Sequence, residues 1–281
     1  MKKINLNKIL YYFSVLIFII LTLGPIVWCF IISVTPEHEM LKETSNFMPS
    51  EITFNNYKEI LNINSRAHET LFNGLKNSLI ISLITVFLSI PVSVITGFVF
   101  SRYKFKGKSF LMKSILITTV IPVFATVITI YSIFSEYNML DNLFWISIIY
   151  VSAFIPLIIW MMRNYFNSIP KEIFEAAKVD GCSDFQMFFK ILLPLSTPII
   201  FACMLIVFLM SWNQFQIPLI FTSSQDNKVV TIIMSEFMTR DSIRYGLIAV
   251  CGIFSIIPPV ILAVLFRKLL VSGLMSGSVK G

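Results

Sequence analysis

Six long apolar stretches that contain no acidic or basic residue constrain this chain more than any other feature. They lie near 9–34, 79–100, 115–134, 143–162, 198–221 and 246–266. A bilayer core about 30 Å thick needs roughly 20 apolar residues per helical crossing, and a charge inside it is costly. With 56% of its residues hydrophobic, the chain also has more apolar side chain than a soluble core buries. The sequence therefore predicts an all-α membrane protein with six transmembrane helices.

Lysine and arginine predict the orientation of these helices. If the N-terminus is inside, the inner segments carry more basic residues than the outer ones, and the short outer loop near Asp141 carries none. The positive-inside rule then places both termini in the cytoplasm. Because the net charge of +7 is explained by this orientation, no nucleic-acid partner is predicted. The first stretch is too long for the apolar region of a signal peptide and is predicted to be a retained anchor.

These boundaries predict a domain organisation. An N-terminal anchor helix at 1–34 is followed by an external loop at 35–76, in which 55–61 is predicted to be a short helix. The core membrane domain covers 77–267 and includes a charged cytosolic loop at 163–195. A cytosolic tail follows at 268–281.

The first half of the charged cytosolic loop contains residues that typically begin and end a short helix. Ser168 is predicted to cap this helix, with Pro170 in its first turn. Gly181 is predicted to end it, because glycine adopts the positive φ of a helix C-terminus without strain. One face is predicted to be apolar and consists of Ile169, Ile173 and Ala177.

The second half predicts another short helix. Ser183 and Gln186 have the spacing of a capping box, and the helix is predicted to stop before Pro194. Its apolar face consists of Phe185, Phe188, Phe189 and Leu192. Two such helices joined at Gly181 suit insertion into a pocket of another protein. They equally suit an amphipathic hairpin lying on the lipid headgroups, and the residues alone leave both interpretations open.

A family resemblance favours docking. Glu175-Ala176-Ala177, then Gly181, then Ile191-x-Leu193-Pro194 resemble the EAA motif of ABC importer permeases. Further segments are similar to the smaller permease partner of maltose-type carbohydrate importers, namely 54–57, 77–78, 100–108, 212–213 and 270–281. The resemblance covers nearly the whole chain.

This resemblance implies a type I ABC importer permease bundle in a bacterial cell membrane. The chain would be a transport subunit, not an enzyme, and would form half of the pathway for a sugar or oligosaccharide. The implied partners are a second homologous permease, two ATPase subunits, an external solute-binding protein and membrane lipids. The chain itself would bind no cofactor, because ATP and Mg would be held by the ATPase.

The resemblance also implies roles for individual residues. The EAA loop would dock on the ATPase through Glu175, Ala176, Ala177, Asp180, Gly181, Ile191, Leu193 and Pro194. The tail would reach between the ATPase subunits through Gly277, Lys280 and Gly281. A permease for another small solute, such as a peptide or polyol phosphate, remains the main alternative.

A polar cluster in the fifth stretch is the candidate solute path. Trp212, Asn213 and Gln214 combine an aromatic ring with uncharged amides, which suit a hydroxyl-rich solute. Hydrogen bonding between helices, without solute contact, explains the same cluster equally well.

Other functional classes find little support in the spans. The two histidines, His38 and His68, lie in the predicted outer loop, so a membrane-embedded enzyme lacks catalytic groups and no metal site is predicted. Ion-driven carriers and channels usually place an ionisable residue inside the membrane, and the six stretches contain none. Gly107-Lys108-Ser109 resembles the end of a phosphate-binding loop, but Arg102 stands where that motif needs glycine.

Overall fold

A computed structural model describes residues 6–40, 48–238 and 243–275. Throughout those ranges the chain is helical or in turns, without a β-strand; a lone antiparallel bridge joins Met238 to Ile243. This agrees with the predicted all-α fold. The chain divides into two compact units, Met1–Asn73 with Ile232–Ile257 and Gly74–Thr231 with Pro258–Gly281.

The first unit is built around the N-terminal helix. Its elements are α1 (Leu6–Val34), α2 (Glu37–Met40), α3 (Asn55–Leu61) and the start of α4 (Arg66–Arg102), with parts of α13 (Val230–Glu236) and α14 (Tyr245–Met275). The predicted helix at 55–61 is confirmed by α3. The most apolar window of α1 has no residue buried by the described chain, so its side chains face lipid or another subunit.

Polar contacts connect α3 to the ends of α1 and α14. The Asn56 amide donates to the Ser33 carbonyl at 3.1 Å, and Gly246 packs directly against the Asn56 side chain. Arg244 donates to both carboxylate oxygens of Glu59, at 2.8 and 2.7 Å. The hydrogen bond from Arg244 lowers the pKa of Glu59. These contacts position α3. Because the Arg244 and Glu59 side chains are 41% and 35% exposed, their ion pair contributes at most about 1 kcal/mol to the free energy of unfolding.

The second unit contains most of α4 and the helices that follow it. They are α5 (Lys108–Ile117), a 3₁₀ turn (Thr118–Val120), α6 (Val123–Glu136), α7 (Leu143–Ser168), α8 (Lys171–Val179), α9 (Asp184–Met187), a π-helical turn (Phe188–Leu192), α10 (Leu193–Leu195), α11 (Thr197–Trp212), α12 (Gln216–Phe221) and a 3₁₀ turn (Gln225–Asn227).

Among the described residues, four helices are long and apolar enough to cross a membrane, and two bent helix pairs bring the number to six when each pair is taken as one span. The predicted stretch at 115–134 corresponds to α5 and α6, which are bent by more than 40° at their break. The helix containing 79–100 begins earlier, at Arg66, so part of the predicted outer loop is helical. Its start is capped locally, because the Ser65 hydroxyl accepts from the His68 N–H at 3.0 Å.

The turn between α6 and α7 is held by one carboxylate. Asp141 has a positive φ of 57°, and its side chain accepts from the backbone N–H groups of Ser223 and Ser224 at 3.1 to 3.2 Å. Asn227 donates to the Asp141 carbonyl at 2.7 Å. Burial alone would raise the pKa of Asp141, but the hydrogen bonds from Ser224, Ser223 and Asn227 outweigh it and leave the pKa below its ordinary value.

Substituting Asp141→Asn is expected to destabilise this turn in a pH-dependent way. Asparagine tolerates the same positive φ, so the substitution removes the charge and little else. Charged hydrogen bonds contribute about 1 kcal/mol here, which lowers the melting temperature by about 2 °C at pH 7. Because the folded pKa is depressed, this contribution is present above the unfolded value of 3.8 and is lost as the pH falls below it.

Thermal unfolding of the purified protein measures this difference at pH 7 and again in acid. Asp226→Asn is the matched control, because Asp226 lies exposed in the loop that Asp141 clamps. An equal effect of both substitutions, or a deficit of Asp141→Asn that persists in acid, would contradict the clamp.

Candidate functional site

The helix α8 begins differently from its sequence prediction. It starts at Lys171 after Pro170, which occupies the N-cap position without a side-chain cap. Ser168 is the last residue of α7, and its hydroxyl donates to the Tyr165 carbonyl at 2.7 Å. The predicted Ser168 cap is therefore wrong, since the hydroxyl is used by the preceding helix. Pro170 alone provides the break between α7 and α8.

The buried face of α8 is also shifted relative to its prediction. Phe174 and Ala177 are buried, together with Ile169 just before the helix. Ile173 is instead 38% exposed, because the chain turns at Pro170 and the helical phase restarts there. Phe174, which the sequence pattern missed, is the anchor of this helix.

Gly181 forms the turn that follows α8, as the sequence predicts. Its φ is +78°, a conformation that glycine adopts without strain. The Cys182 N–H donates to the Ala177 carbonyl at 2.9 Å, and the Gly181 N–H to the Lys178 carbonyl at 3.1 Å. These two bonds satisfy the last carbonyls of α8 in the manner of a Schellman motif. Asp180 is exposed at the helix end beside this turn.

The next helix confirms its predicted start and contradicts its predicted end. The Ser183 hydroxyl accepts from the Gln186 N–H at 3.3 Å, and the Gln186 side chain accepts from the Ser183 N–H at 2.9 Å. The predicted stop before Pro194 is wrong, because helical backbone continues through the π-helical turn and α10. A π turn shifts the hydrogen-bond register, so helical backbone accommodates the proline near the start of a new segment.

The π-helical turn also affects which residues of the EAA motif near Pro194 are buried. Leu192 is fully buried, whereas Ile191 and Leu193 on either side of it are half-buried. Pro194 itself is exposed. The second half of the EAA motif therefore contacts the protein interior through Leu192, a position that the motif leaves unspecified.

Arg102, at the end of α4, attaches α8 to the membrane helices. Its guanidinium lies over the Phe174 ring, 3.7 Å from the centroid. The same group donates to the Phe166 carbonyl at 2.7 Å and to the Ile169 carbonyl at 3.4 Å. One side chain thus holds the end of α7, the link to α8 and the buried face of α8.

Two tyrosine hydroxyls attach the second helix, which consists of α9, the π-helical turn and α10. The Tyr103 hydroxyl donates to the Asp184 carboxylate at 2.6 Å, and this bond, together with burial, raises the pKa of Tyr103. The Tyr165 hydroxyl donates to the Leu195 carbonyl at 3.0 Å. We name the segment from Lys171 to Leu195 the coupling hairpin; contacts at both of its helices make it a rigid extension of α4 and α7.

The coupling hairpin exposes apolar side chains among its charged ones. Val179 is 88% exposed and Phe185 is 71% exposed, while Glu175 and Ala176 lie exposed on α8. Exposed apolar side chains on a rigid support mark a surface that contacts a protein or a membrane. Glu175 adds one negative charge to this face.

The predicted solute-path residues Trp212, Asn213 and Gln214 differ in exposure. Trp212 is 3% exposed and stacks on Phe208 with ring centroids 5.5 Å apart. Asn213 is exposed, and its amide donates to the Leu209 carbonyl at 2.9 Å, which ends α11. Gln214 lies in the break before α12 and accepts from the Thr231 hydroxyl at 2.7 Å through its backbone carbonyl. The helix of the fifth stretch is therefore interrupted at 213–215. Within this break Asn213 is exposed and Gln214 is half-buried.

The family model that matches this chain decides its identity. Residues 89–276 match the binding-protein-dependent transport system inner membrane component, which covers both the coupling hairpin and the last helix. The chain belongs to this family of permeases. It is therefore the membrane-embedded transport component of a binding-protein-dependent system.

Full-length relatives extend the similarity beyond the family model. The permease is 29% identical over 282 residues to the trehalose/maltose transport system permease MalG of Thermococcus litoralis, with 100% of both chains covered. It is 29% identical to the arabinooligosaccharide transport system permease AraQ of Halalkalibacterium halodurans, covering 92% of this chain and 91% of that one. A crystal structure of a bacterial ABC transporter that imports alginate shares its fold, with a TM-score of 0.75, 21% identity and coverage of 94% and 96%.

Substituting Arg102→Lys in the permease is expected to loosen the coupling hairpin. Lysine keeps the charge but loses the planar stacking on Phe174 and the forked donation to two carbonyls. A loss of about 1 kcal/mol makes amide hydrogens of α8 exchange about fivefold faster. Hydrogen-exchange mass spectrometry of the purified protein measures this rate.

A double-substitution cycle tests whether the two side chains act as a pair. Phe174→Leu is expected to have a similar effect, and the double variant is expected to be less than additive by about 1 kcal/mol. Arg66→Lys, an exposed arginine far from α8 in sequence, is the control and should leave α8 exchange unchanged. Additive effects would show that Arg102 and Phe174 act independently.

Proposed function

We propose that this permease imports a sugar or oligosaccharide and transmits ATP-driven movement through its coupling hairpin. It would be one of two homologous permease subunits, each contributing half of the pathway. Its other partners would be two ATPase subunits and an external solute-binding protein. The observation that supports this most is a hairpin that is attached to α4 and α7 and exposes Glu175, Val179 and Phe185 within an EAA sequence.

The contacts of the hairpin suggest how movement would pass to the membrane. A push on α8 reaches α4 and α7 through the Arg102 contacts. A push on the second helix would reach α11 through the single turn residue Ser196, where Asp184–Leu195 and Thr197–Trp212 meet at a 72° bend. Because helices transmit displacement as rigid bodies, a small shift of the hairpin would reorient several spans together.

The energy source would lie outside this chain. ATP and Mg would be held by the ATPase subunits, so the permease would be a transport subunit without catalytic residues of its own. The coupling residues would be Glu175, Ala176, Gly181 and their neighbours on the hairpin. Gly277, Lys280 and Gly281, proposed to reach between the ATPase subunits, lie outside the described residues.

Orientation and cargo belong to the same proposal. The excess of basic residues in the segments next to the hairpin supports a cytoplasmic hairpin and cytoplasmic termini. The names of the relatives, which transport trehalose, maltose and arabinooligosaccharides, support a carbohydrate cargo. A peptide or polyol phosphate is the competing cargo class.

Copurification of the assembled importer tests this proposal. The complex in nanodiscs, supplied with its solute-binding protein, is expected to hydrolyse ATP faster when the correct sugar is added. A screen of mono- and oligosaccharides beside dipeptides and polyol phosphates identifies the cargo class. Stimulation by a peptide alone would contradict the sugar assignment, and a chain that purifies without any ATPase would contradict the importer.

A further inference from the structure

A basic cavity lies where α5 begins. It has a volume of about 580 Å³, and its walls contain three cationic side chains, Lys108, Lys113 and Arg163. The remaining wall is largely apolar and includes Phe110, Met112 and Leu116. None of the described residues that line it is acidic.

The cations around this cavity lack a neutralising partner in the described structure. The Arg163 Nε is buried without a hydrogen-bond partner, and the Lys108 ammonium donates to a carbonyl, that of Tyr103, at 2.9 Å. The charges of Arg163 and Lys104 also act on Lys108. Like charges gathered around one partly buried space are unfavourable unless an anion joins them.

The helix end at the cavity favours the same kind of ligand. The N-cap of α5 is Gly107, which offers no side-chain cap, and the first turn has no acidic residue. The backbone N–H groups of such a helix start donate well to phosphate oxygens, and the helix dipole favours a negative charge there. Together with the three cations, this helix start provides charges and donors that suit a phosphate group.

The apolar wall of the cavity favours a lipid over a soluble phosphate as the ligand. Phe110 is 73% exposed, and Ile117 on the same helix is 66% exposed, so apolar surface continues from the cavity along α5. Basic residues at the cytoplasmic ends of membrane helices attract anionic headgroups. We propose that this cavity binds the phosphate headgroup of an anionic phospholipid, with its acyl chains along α5.

One residue of the site, Lys108, connects it to the coupling hairpin. Lys108 lines a second cavity of about 420 Å³, whose walls include Phe174 and Glu175 of α8 and Asp184 of α9. An occupied lipid site would therefore support the base of the coupling hairpin. This goes beyond the proposed import function and takes from it only the cytoplasmic orientation.

Native mass spectrometry of the full-length chain in detergent tests lipid binding directly. Phosphatidylglycerol is expected to bind about tenfold more tightly than phosphatidylcholine, with one molecule binding first. Replacing both Lys113→Gln and Arg163→Gln is expected to weaken phosphatidylglycerol binding about 30-fold, because each basic group near a headgroup contributes about 1 kcal/mol. The charge-conserving pair Lys113→Arg and Arg163→Lys is expected to retain binding.

Controls separate this site from general surface charge and from soluble phosphate. The pair Lys106→Gln and Lys190→Gln removes the same charge from exposed positions that do not line the cavity, and is expected to change binding by a few-fold at most. Equal weakening by both neutralised pairs, or equal binding of the two lipids to the unaltered chain, would overturn the proposal.

Displacement of the lipid by millimolar inorganic phosphate would instead assign the cavity to a soluble anion and also overturn it. The comparison of lipids on the unaltered chain needs no variant, so a folding defect in a substituted protein leaves the test intact. Binding is measured without partners, so a negative result here leaves the import function standing.

Discussion

Replacing Gly181 with valine is expected to abolish uptake while leaving membrane insertion intact. At φ +78° a β-branched residue is strained, at a cost of about 1 to 3 kcal/mol. The turn would relax by rotating the second helix of the hairpin away from α8, so uptake should fall at least tenfold. Uptake of radiolabelled solute by cells, with permease content measured by immunoblotting, gives the result.

Asparagine at the same position is the matched control. Within the described structure, no atom beyond the adjacent residues lies within 4 Å of a Cβ added at Gly181, so the backbone conformation is the obstacle to a side chain there. Asparagine tolerates the left-handed region, and Gly181→Asn should retain uptake to within about threefold. Equal loss in both variants would show that the surface of the turn, and not its conformation, is what matters.

Replacing Gly97 with valine is expected to prevent α4 from packing against α7. A Cβ at Gly97 would lie 2.8 Å from the Met162 Cβ and 3.2 Å from the backbone nitrogen of Arg163. Because backbone cannot rotate away as a side chain can, the two helices must separate, which costs about 3 kcal/mol or more. Size-exclusion chromatography should show little monodisperse protein, and any that remains should unfold at a lower temperature.

Gly24→Val is the corresponding control in α1. Gly24 also lies within a long apolar helix, but among the described residues nothing outside the local helix backbone lies within 4 Å of an added Cβ. The substitution should change stability by about 0.5 kcal/mol or less. Normal yield of Gly97→Val would contradict the close approach of α4 to α7.

Local signals made much of the hairpin predictable. Gly181 and the Ser183–Gln186 capping box each act within a few residues, so the sequence pattern contains the information that fixes them. Ser65, which precedes α4, is a local capping signal of the same kind. Family resemblance supplied what local signals lacked, namely the choice between docking and lying on the membrane.

Contacts between distant residues were beyond sequence reasoning. Arg102 and Phe174 meet only because α4 and α7 bring them together, and nothing near either residue indicates the pair. The continuation through Pro194 depends on a π turn, which hydrophobic periodicity does not reveal. The burial of Trp212 likewise depends on Phe208 and the packing of α11, and the solute path at 212–214 stays a prediction.

The central claim is that the exposed face of the coupling hairpin docks on an ATPase. Site-specific photocrosslinking in intact cells tests it, with a benzophenone amino acid at Val179, which is 88% exposed. The same probe at Ile63, an aliphatic side chain 79% exposed in the predicted outer loop, is the control. We expect a covalent adduct with the ATPase subunit from Val179 and none from Ile63. Adducts from Val179 with phospholipid alone, in cells that retain uptake, would contradict docking and assign the hairpin to the membrane surface.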